Sequence, residues 1–340
     1  IVTTNYYLNV RTAVIINVMH NTTDDIIPID MKTLRVDIIP EFSLFVKNWL
    51  DNKLCYVRYN TGNHVIRQYH IDVLRNNKVD YLYILKNDQR KYFKYVEFVL
   101  QRVMKEDIAV KEKAYLVYNV AKNIMLDVLE DPYCNKNVKR SMNWVSGAVD
   151  FIMTSEEASV AMLNMVSYDY YTYSTHSTNV SVLGLLFAKY LGIGIDDMHS
   201  MGTGFLLHDI GKTQIDSSIV KKNGRLSNEE FEVMEKHVEK GVSVVEQIGG
   251  IADKSFYPIM QHHEREDGGG YPYGLGGDEI HQFGKIAKIV DTYDALTTPR
   301  PYSEARTPFS ALTMMNSVMK GHFNLRYLKL FIQFLASRKS

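Results

Sequence analysis

His262-His-Glu-Arg-Glu-Asp-Gly-Gly-Gly-Tyr-Pro-Tyr-Gly-Leu-Gly-Gly277 sets the reading of the second half of this chain. The preceding residues, Asp253 to Met260, read as a helix that runs into the histidine pair. The loop Glu266 to Gly277 is too rich in glycine to continue it. Neighbours on a helix point about 100° apart, so two adjacent imidazoles can serve one cluster only near a helix end or beside two metal ions. A solvated helix end is the plain alternative, and the Asp267-Gly-Gly-Gly-Tyr-Pro272 run that follows argues against it. The three glycines, Gly268 to Gly270, permit close backbone approach and positive φ. Tyr271-Pro272 then fixes the direction of the chain.

Four further blocks of the same chemistry lie around this one. His208-Asp209 with Lys212 ends an apolar helical stretch, Leu206-Leu-His-Asp-Ile-Gly-Lys212. His237 follows Met234-Glu-Lys. His176 lies in Tyr173-Ser-Thr-His-Ser177. Asp291 and Asp294 follow the apolar run Ile286 to Val290, where a carboxylate is costly to bury unless it meets a metal or another cation. Taken singly, His176 reads equally well as a structural histidine, and a helix cap is the lesser alternative for Asp291. His199, His281 and His322 read as structural or surface residues. Together, imidazole and carboxylate donors suit Zn, Fe, Mn or Ni and not calcium, which takes oxygen alone. An aspartate between two ions roughly 3.5–4 Å apart bridges them with its two oxygens, an arrangement suited to phosphodiesters.

The composition narrows the class. The 340 residues are 46% hydrophobic and 23% charged, which gives an ordered chain of about two domains. Lys plus Arg equals Asp plus Glu at 39 each, so net charge gives no case for a nucleic-acid polymer. A small anionic ligand needs only a local cluster of donors. Cys55 and Cys134 form no CxxC pair, which fits a reducing, cytoplasmic setting. Ala13 to Met19 is far short of the roughly 20 apolar residues of a membrane span. The sequence opens on Ile1, and residues 1–24 are read as an uncertain start, a fragment edge or appended residues.

The chain changes character near residue 100. Thr33 to Ile39, Cys55 to Tyr59 and Tyr81 to Leu85 read as strands, Asn60 to Asn63 as a turn, and Ile71 to Asn77 as a short helix. Residues 25–100 are therefore expected to form a small α+β module without a catalytic cluster. Tyr95 to Leu129 is nearly free of Gly and Pro and has helical periodicity. It is read either as a connecting helix or as an ordinary packing helix, and as a candidate for pairing two copies. A helical connector is assigned to 101–149. From 150 to 340 helices dominate, with starts expected at Ser155-Glu-Glu157 and Ser227-Asn-Glu-Glu230. Phe309 to Met319 is read as another helix.

At these residues the sequence resembles the HD-GYP family of the HD phosphohydrolase superfamily. His208-Asp209 matches the superfamily's namesake pair. His262-His-Glu-x-x-Asp-Gly-x-Gly-Tyr-Pro272, with Gly274-Leu275 and Gly277, matches the GYP signature. Asp291-x-Tyr-Asp-Ala-Leu-Thr297 with Arg300-Pro-Tyr302 matches the downstream segment. The resemblance covers roughly 150–325. It implies a mainly α fold: a helical HD-GYP domain, here preceded by a module of the sensory or regulatory kind. It implies hydrolysis of a cyclic dinucleotide, c-di-GMP to linear pGpG or GMP, by a metal-activated hydroxide. By family role, His176, His208, Asp209 and Asp291 would hold one ion, and Asp209 would bridge to a second held by His237, His262 and His263. Lys212 and Arg300 would meet the substrate phosphates, with Asp209 and Lys212 catalytic. Asp294, Gly270, Tyr271 and Pro272 are further candidate substrate contacts. Some members place a glutamate four residues before the first histidine, which supports a third ion. Here that residue is Thr172, so two divalent transition metals are expected. The GYP loop is a wall beside the metals or a contact surface for a diguanylate cyclase (GGDEF) partner. A receptor that binds without turnover, a cyclic GMP-AMP-specific enzyme and a general HD phosphohydrolase are the alternatives. The complete GYP signature argues against the last.

Overall fold

The structure is a computed structural model that describes residues 25–50, 53–166, 172–299 and 304–337. It falls into two compact units, the first ending at Ile108 and the second running from Ala109 to Ser340. Among the described residues no helix is long and apolar enough to cross a membrane.

The first unit carries an antiparallel sheet of β1 (Ile26–Asp30), β2 (Leu44–Leu50), β3 (Lys53–Asn60) and β4 (Tyr81–Leu85) in the order β1-β4-β2-β3. In β4 the two-residue period is plain: Leu82 and Ile84 are fully buried while Tyr81 faces out. Helix α1 (Gln68–Asn76) buries Ile71 and Leu74, and α2 (Gln89–Val103) buries Tyr92, Tyr95, Val96 and Val99. Phe42 meets Tyr92 and Tyr95 edge-on, with ring centroids 5.8 and 5.5 Å away. The strand expected over Thr33 to Ile39 is not formed. A 3-10 turn at Met31–Thr33 opens this stretch, and Asp37 and Glu41 take positive φ on either side of Pro40. That backbone cannot hold a ladder, although Leu34 and Ile38 still reach the core. The strands lie to either side, as β1 and β2.

The second unit is helical. It opens with α3 (Val110–Glu130) and α4 (Asn135–Thr154). The helix expected over Tyr95 to Leu129 is therefore two helices in two units, parted at 104–109 by turns that carry no Gly or Pro. The connector expected over 101–149 also differs. α3 packs on α4, on α5 (Glu156–Leu163) and on α6 (Tyr173–Tyr190), and Trp144 Nε1 donates to the Val117 carbonyl at 2.8 Å. Ser155 caps α5 through the Ala158 amide at 3.0 Å. α6 is buried all round from Ser174 to Ala188, which makes it the axis of this unit. α7 (Ile195–Leu207) packs along it and ends in a 3-10 turn, Ile210–Gln214. The short α8 (Ser217–Val220) and α9 (Asn228–Glu235) follow, α9 opened by the capping box of Ser227 and Glu230. Then come α10 (His237–Ile248), α11 (Phe256–Gln261), α12 (Gln282–Thr297), α13 (Pro308–Ser317) and α14 (Leu325–Ser337).

Candidate metal centre

The blocks singled out in the sequence converge on one buried spot, supplied mostly by helix ends. His176 is in the first turn of α6 and His208 caps the C-terminus of α7, with Asp209 next to it. His237 opens α10, His262 caps α11, and Asp291 faces in from α12. Gly211 is what lets the α7 end approach α10. A Cβ there would lie 1.9 Å from the His237 carbonyl oxygen and 2.4 Å from the Gly241 nitrogen. Only glycine permits that backbone contact.

Two donor groups share one carboxylate. His176, His208 and Asp209 bring ligand atoms within 4.8 Å of one another, and so do Asp209, His237, His262 and His263. Asp209 Oδ2 faces His208 Nε2 at 3.5 Å and His176 Nε2 at 3.7 Å. Its Oδ1 faces His237 Nε2 at 3.4 Å and His262 Nε2 at 3.8 Å. Asp291 Oδ1 joins the first group, 3.1 Å from His176 Nε2 and 3.9 Å from His208 Nε2. Each oxygen of Asp209 thus looks at a different set of imidazoles, which is what a bridge between two ions requires.

The imidazoles are aimed from behind. His208 Nδ1 donates to the Phe205 carbonyl at 2.7 Å, and His237 Nδ1 to that of Met234 at 2.7 Å. His262 Nδ1 lies 3.0 Å from the carbonyls of both Pro258 and Ile259. Those bonds place the proton on Nδ1 and leave the Nε2 lone pair for a ligand. His176 Nδ1 meets Asp294 Oδ2 at 2.6 Å instead.

Burial and charge prepare the same state at every imidazole of the centre but His176. Burial drives His208, His262 and His263 below the usual imidazole range and pushes His237 down to about 4. Burial opposes protonation of His176 as well, but Asp291 and Asp294 outweigh it and raise this group to about 9. Burial would raise Asp209 and Asp291. The cation of Lys212 and the imidazoles hold Asp209 well below the carboxylate range, and His176 foremost does so for Asp291. His208 Nε2 and Asp209 Oδ1 are buried without a hydrogen-bond partner. Buried polar atoms in that condition are costly unless something coordinates them, and neutral imidazoles with ionised carboxylates fit a divalent transition ion.

The candidate substrate contacts divide. Lys212 Nζ donates to Asp209 Oδ2 at 2.5 Å, so this ammonium pairs with the shared carboxylate. Tyr271 stacks on His263, centroids 4.5 Å apart at 22°, and Gly270 and Pro272 flank it, part-exposed. Gly268 takes φ +75°, and a Cβ on Gly270 would fall 2.5 Å from Glu264 Cα, so the loop is pressed onto the segment that carries the histidine pair. Asp294 corrects the sequence reading. It is 1% exposed and holds His176 from behind, so it does not face a substrate. Arg300 lies outside the described residues. Thr172 caps α6 through the Thr175 amide at 3.1 Å.

Asn179, Thr298 and Lys288 went unread in the sequence, and Glu264 was quoted in the signature without a role. Glu264, buried, accepts from the Tyr273 amide at 2.8 Å and the Leu275 amide at 3.0 Å and so ties down the loop. Asn179 and Thr298 donate to Asp294 Oδ1 at 2.8 and 3.1 Å. Lys288 lies one turn before Asp291, and burial lowers its ammonium. Only the glutamate had a legible signal, its place directly after the histidine pair.

An HD domain model matches residues 161–325. The chain is 29% identical to the cyclic di-GMP phosphodiesterase PA4108 of Pseudomonas aeruginosa, over 54% of this chain and 44% of that protein. It is 29% identical to the 3'3'-cGAMP-specific phosphodiesterase 2 of Vibrio cholerae, over 60% and 40% of the two chains. It is 35% identical to the cyclic di-GMP phosphodiesterase response regulator RpfG of Xanthomonas campestris, over 39% and 35%. The chain thus spans less than half the length of these relatives. Bd1817, an HDG"Y"P protein from Bdellovibrio bacteriovorus, has the same fold, with a TM-score of 0.67 at 21% identity over 92% of this chain and all of that one. Residues 161–325 match an HD domain, and together with these relatives this supports the resemblance to the HD-GYP family carried by the signature at 262–277.

Proposed function

We propose that this protein is a metal-dependent phosphodiesterase that opens a cyclic dinucleotide. The observation that carries the reading is Asp209, whose two oxygens face two separate sets of imidazoles. His176, His208, Asp209 and Asp291 would hold one ion, and Asp209, His237, His262 and His263 the other. Two such ions supply Lewis-acid neutralisation of a phosphodiester and bring water within reach of deprotonation near neutral pH. The chain's own part is to hold and to exclude. The Nδ1–carbonyl bonds keep the imidazoles of His208, His237 and His262 from turning, and burial keeps these three neutral. Lys212 balances the charge of Asp209, and ions in that role would release its ammonium for a phosphate oxygen. Tyr271, braced on His263, walls one side of the centre and offers an aromatic surface beside it. The curated relatives divide between c-di-GMP and 3'3'-cGAMP, so the substrate class is a cyclic dinucleotide of one of these kinds. A diguanylate cyclase partner at the GYP loop, a homodimer and a cytoplasmic setting accompany this reading as proposals. The test is metal content per chain together with product formation from both dinucleotides. Two ions per chain with no linear dinucleotide or mononucleotide from either substrate would overturn the assignment.

A further inference from the structure

A line of hydrogen bonds leaves His176 on the side away from the other ligands and ends on α3. His176 Nδ1 meets Asp294 Oδ2 at 2.6 Å. The other oxygen of Asp294 accepts from Asn179 Nδ2 at 2.8 Å and from Thr298 Oγ1 at 3.1 Å. Asn179 Oδ1 in turn accepts from the Tyr118 hydroxyl at 2.6 Å. Tyr118, Asn179, Asp294 and His176 are all buried. Three helices meet in this line, α3, α6 and α12. His176 and Asn179 are three apart on α6 and share one face of it.

The chemistry allows one arrangement. Asp294 faces three polar partners, His176 Nδ1, Asn179 Nδ2 and Thr298 Oγ1, and a buried carboxyl group is tolerated only with such partners. The Asn179 amide could be turned either way. Turned over, its carbonyl would face the Asp294 carboxylate, and the Tyr118 hydroxyl would lose its acceptor. The phenol therefore fixes the amide, the amide fixes the carboxylate, and the carboxylate sets the ring angle of His176, whose Nε2 faces Asp209 and Asp291.

We propose that Tyr118 and Asn179 are positioning residues for the His176 side of the centre, a reading that rests on the metal centre proposed above. Neither touches a ligand atom of the centre. They act through Asp294, in the way that partners behind a ligating histidine govern its orientation and basicity.

The experiment is a stepwise cobalt(II) titration of the full-length metal-free protein, followed by visible absorption. His176→Ala and His263→Ala identify which phase belongs to which side. Tyr118→Phe removes only the hydroxyl and is expected to weaken the His176-side ion by roughly 2–10-fold. Asn179→Ala is expected to weaken it by ~10–100-fold. In both, the absorption envelope of that ion shifts while the phase lost in His263→Ala keeps its affinity and spectrum. Equal weakening of both phases would mean a merely structural role and overturns the proposal. Unchanged binding in both variants overturns it as well. A wild-type protein that takes up no cobalt overturns the metal-centre reading, and this proposal with it.

Discussion

Gly211→Ala tests the contact on which the whole centre rests. The added methyl would meet the His237 carbonyl oxygen at 1.9 Å, the Gly241 nitrogen at 2.4 Å and the Gly241 Cα at 2.8 Å. All three are backbone atoms of α10, so no side chain can swing aside. Even the tightest contact that real Cβ atoms make, 3.0 Å, leaves the closest of them about 1 Å short. The turn after Asp209 and the start of α10 must therefore part by roughly that amount. Metal–ligand distances tolerate only about 0.2 Å, so His237 would leave coordination range of an ion shared with Asp209. Overpacking of this kind costs about 1–3 kcal/mol, and in a domain of this size each kcal/mol moves Tm by roughly 2–4 °C. The metal-free variant should melt about 2–12 °C lower. The ion on the His237 side should bind at least ~100-fold more weakly, the top of the range for losing a ligand's support. Gly241→Ala is the matched control. Its methyl meets nothing closer than Gly211 nitrogen at 3.3 Å and Ile259 Cγ2 at 3.4 Å. It also gains up to about 1 kcal/mol of helix propensity in α10, so both ions should stay. Calorimetry and metal analysis of the two variants decide the matter. If Gly211→Ala melts and binds as the wild type does, the approach of these two backbones does not build the centre.

Asp209→Ala should leave a folded protein that loses at least one ion and the proposed phosphodiesterase activity, because two dications would then face each other without the shared carboxylate. Two ions retained with near-normal turnover would show that Asp209 is not the bridge. Acid should destabilise the metal-free protein. His237 titrates at about 4 when folded and 6.5 when unfolded, so between these values the unfolded chain binds more protons. The contribution is complete above 6.5 and is lost as pH falls toward 4, about 3 kcal/mol from this one group. His208, His262 and His263 act with the same sign. His176, raised to about 9, acts oppositely and stabilises below 6.5. A Tm that stays flat from pH 7 to 4.5, or a slope unaltered by His237→Gln, would contradict this. Glu264→Ala frees the Tyr273 and Leu275 amides and should raise hydrogen exchange across 268–277 by ~10-fold or more, as expected when a buried charged acceptor is lost. Unchanged protection there would mean that the loop is held by other contacts.

The sequence by itself determined the donor chemistry and much of the local framework. His208-Asp209, His262-His263 and Asp291 are legible because their residue types are costly to bury and their neighbours are apolar. Ser155 and Ser227 are legible as helix starts because capping is a bond between residues three apart. β4 is legible from its own alternation. What failed in the sequence failed for want of local signal. Thr33 to Ile39 alternates like a strand, yet the positive φ of Asp37 and Glu41 was set by the chain around them. No glycine or proline marked the break between α2 and α3. Only the tertiary structure decided that Asp294 supports His176, a pairing across 118 residues of chain. The same holds for Tyr118 and Asn179, 61 residues apart. The split of Asp209 between two ligand sets was likewise decided by where α6, α7, α10 and α11 cross. Residue type is written locally, but the direction of a ring nitrogen depends on how helices pack, and no spacing in the sequence encodes a crossing angle.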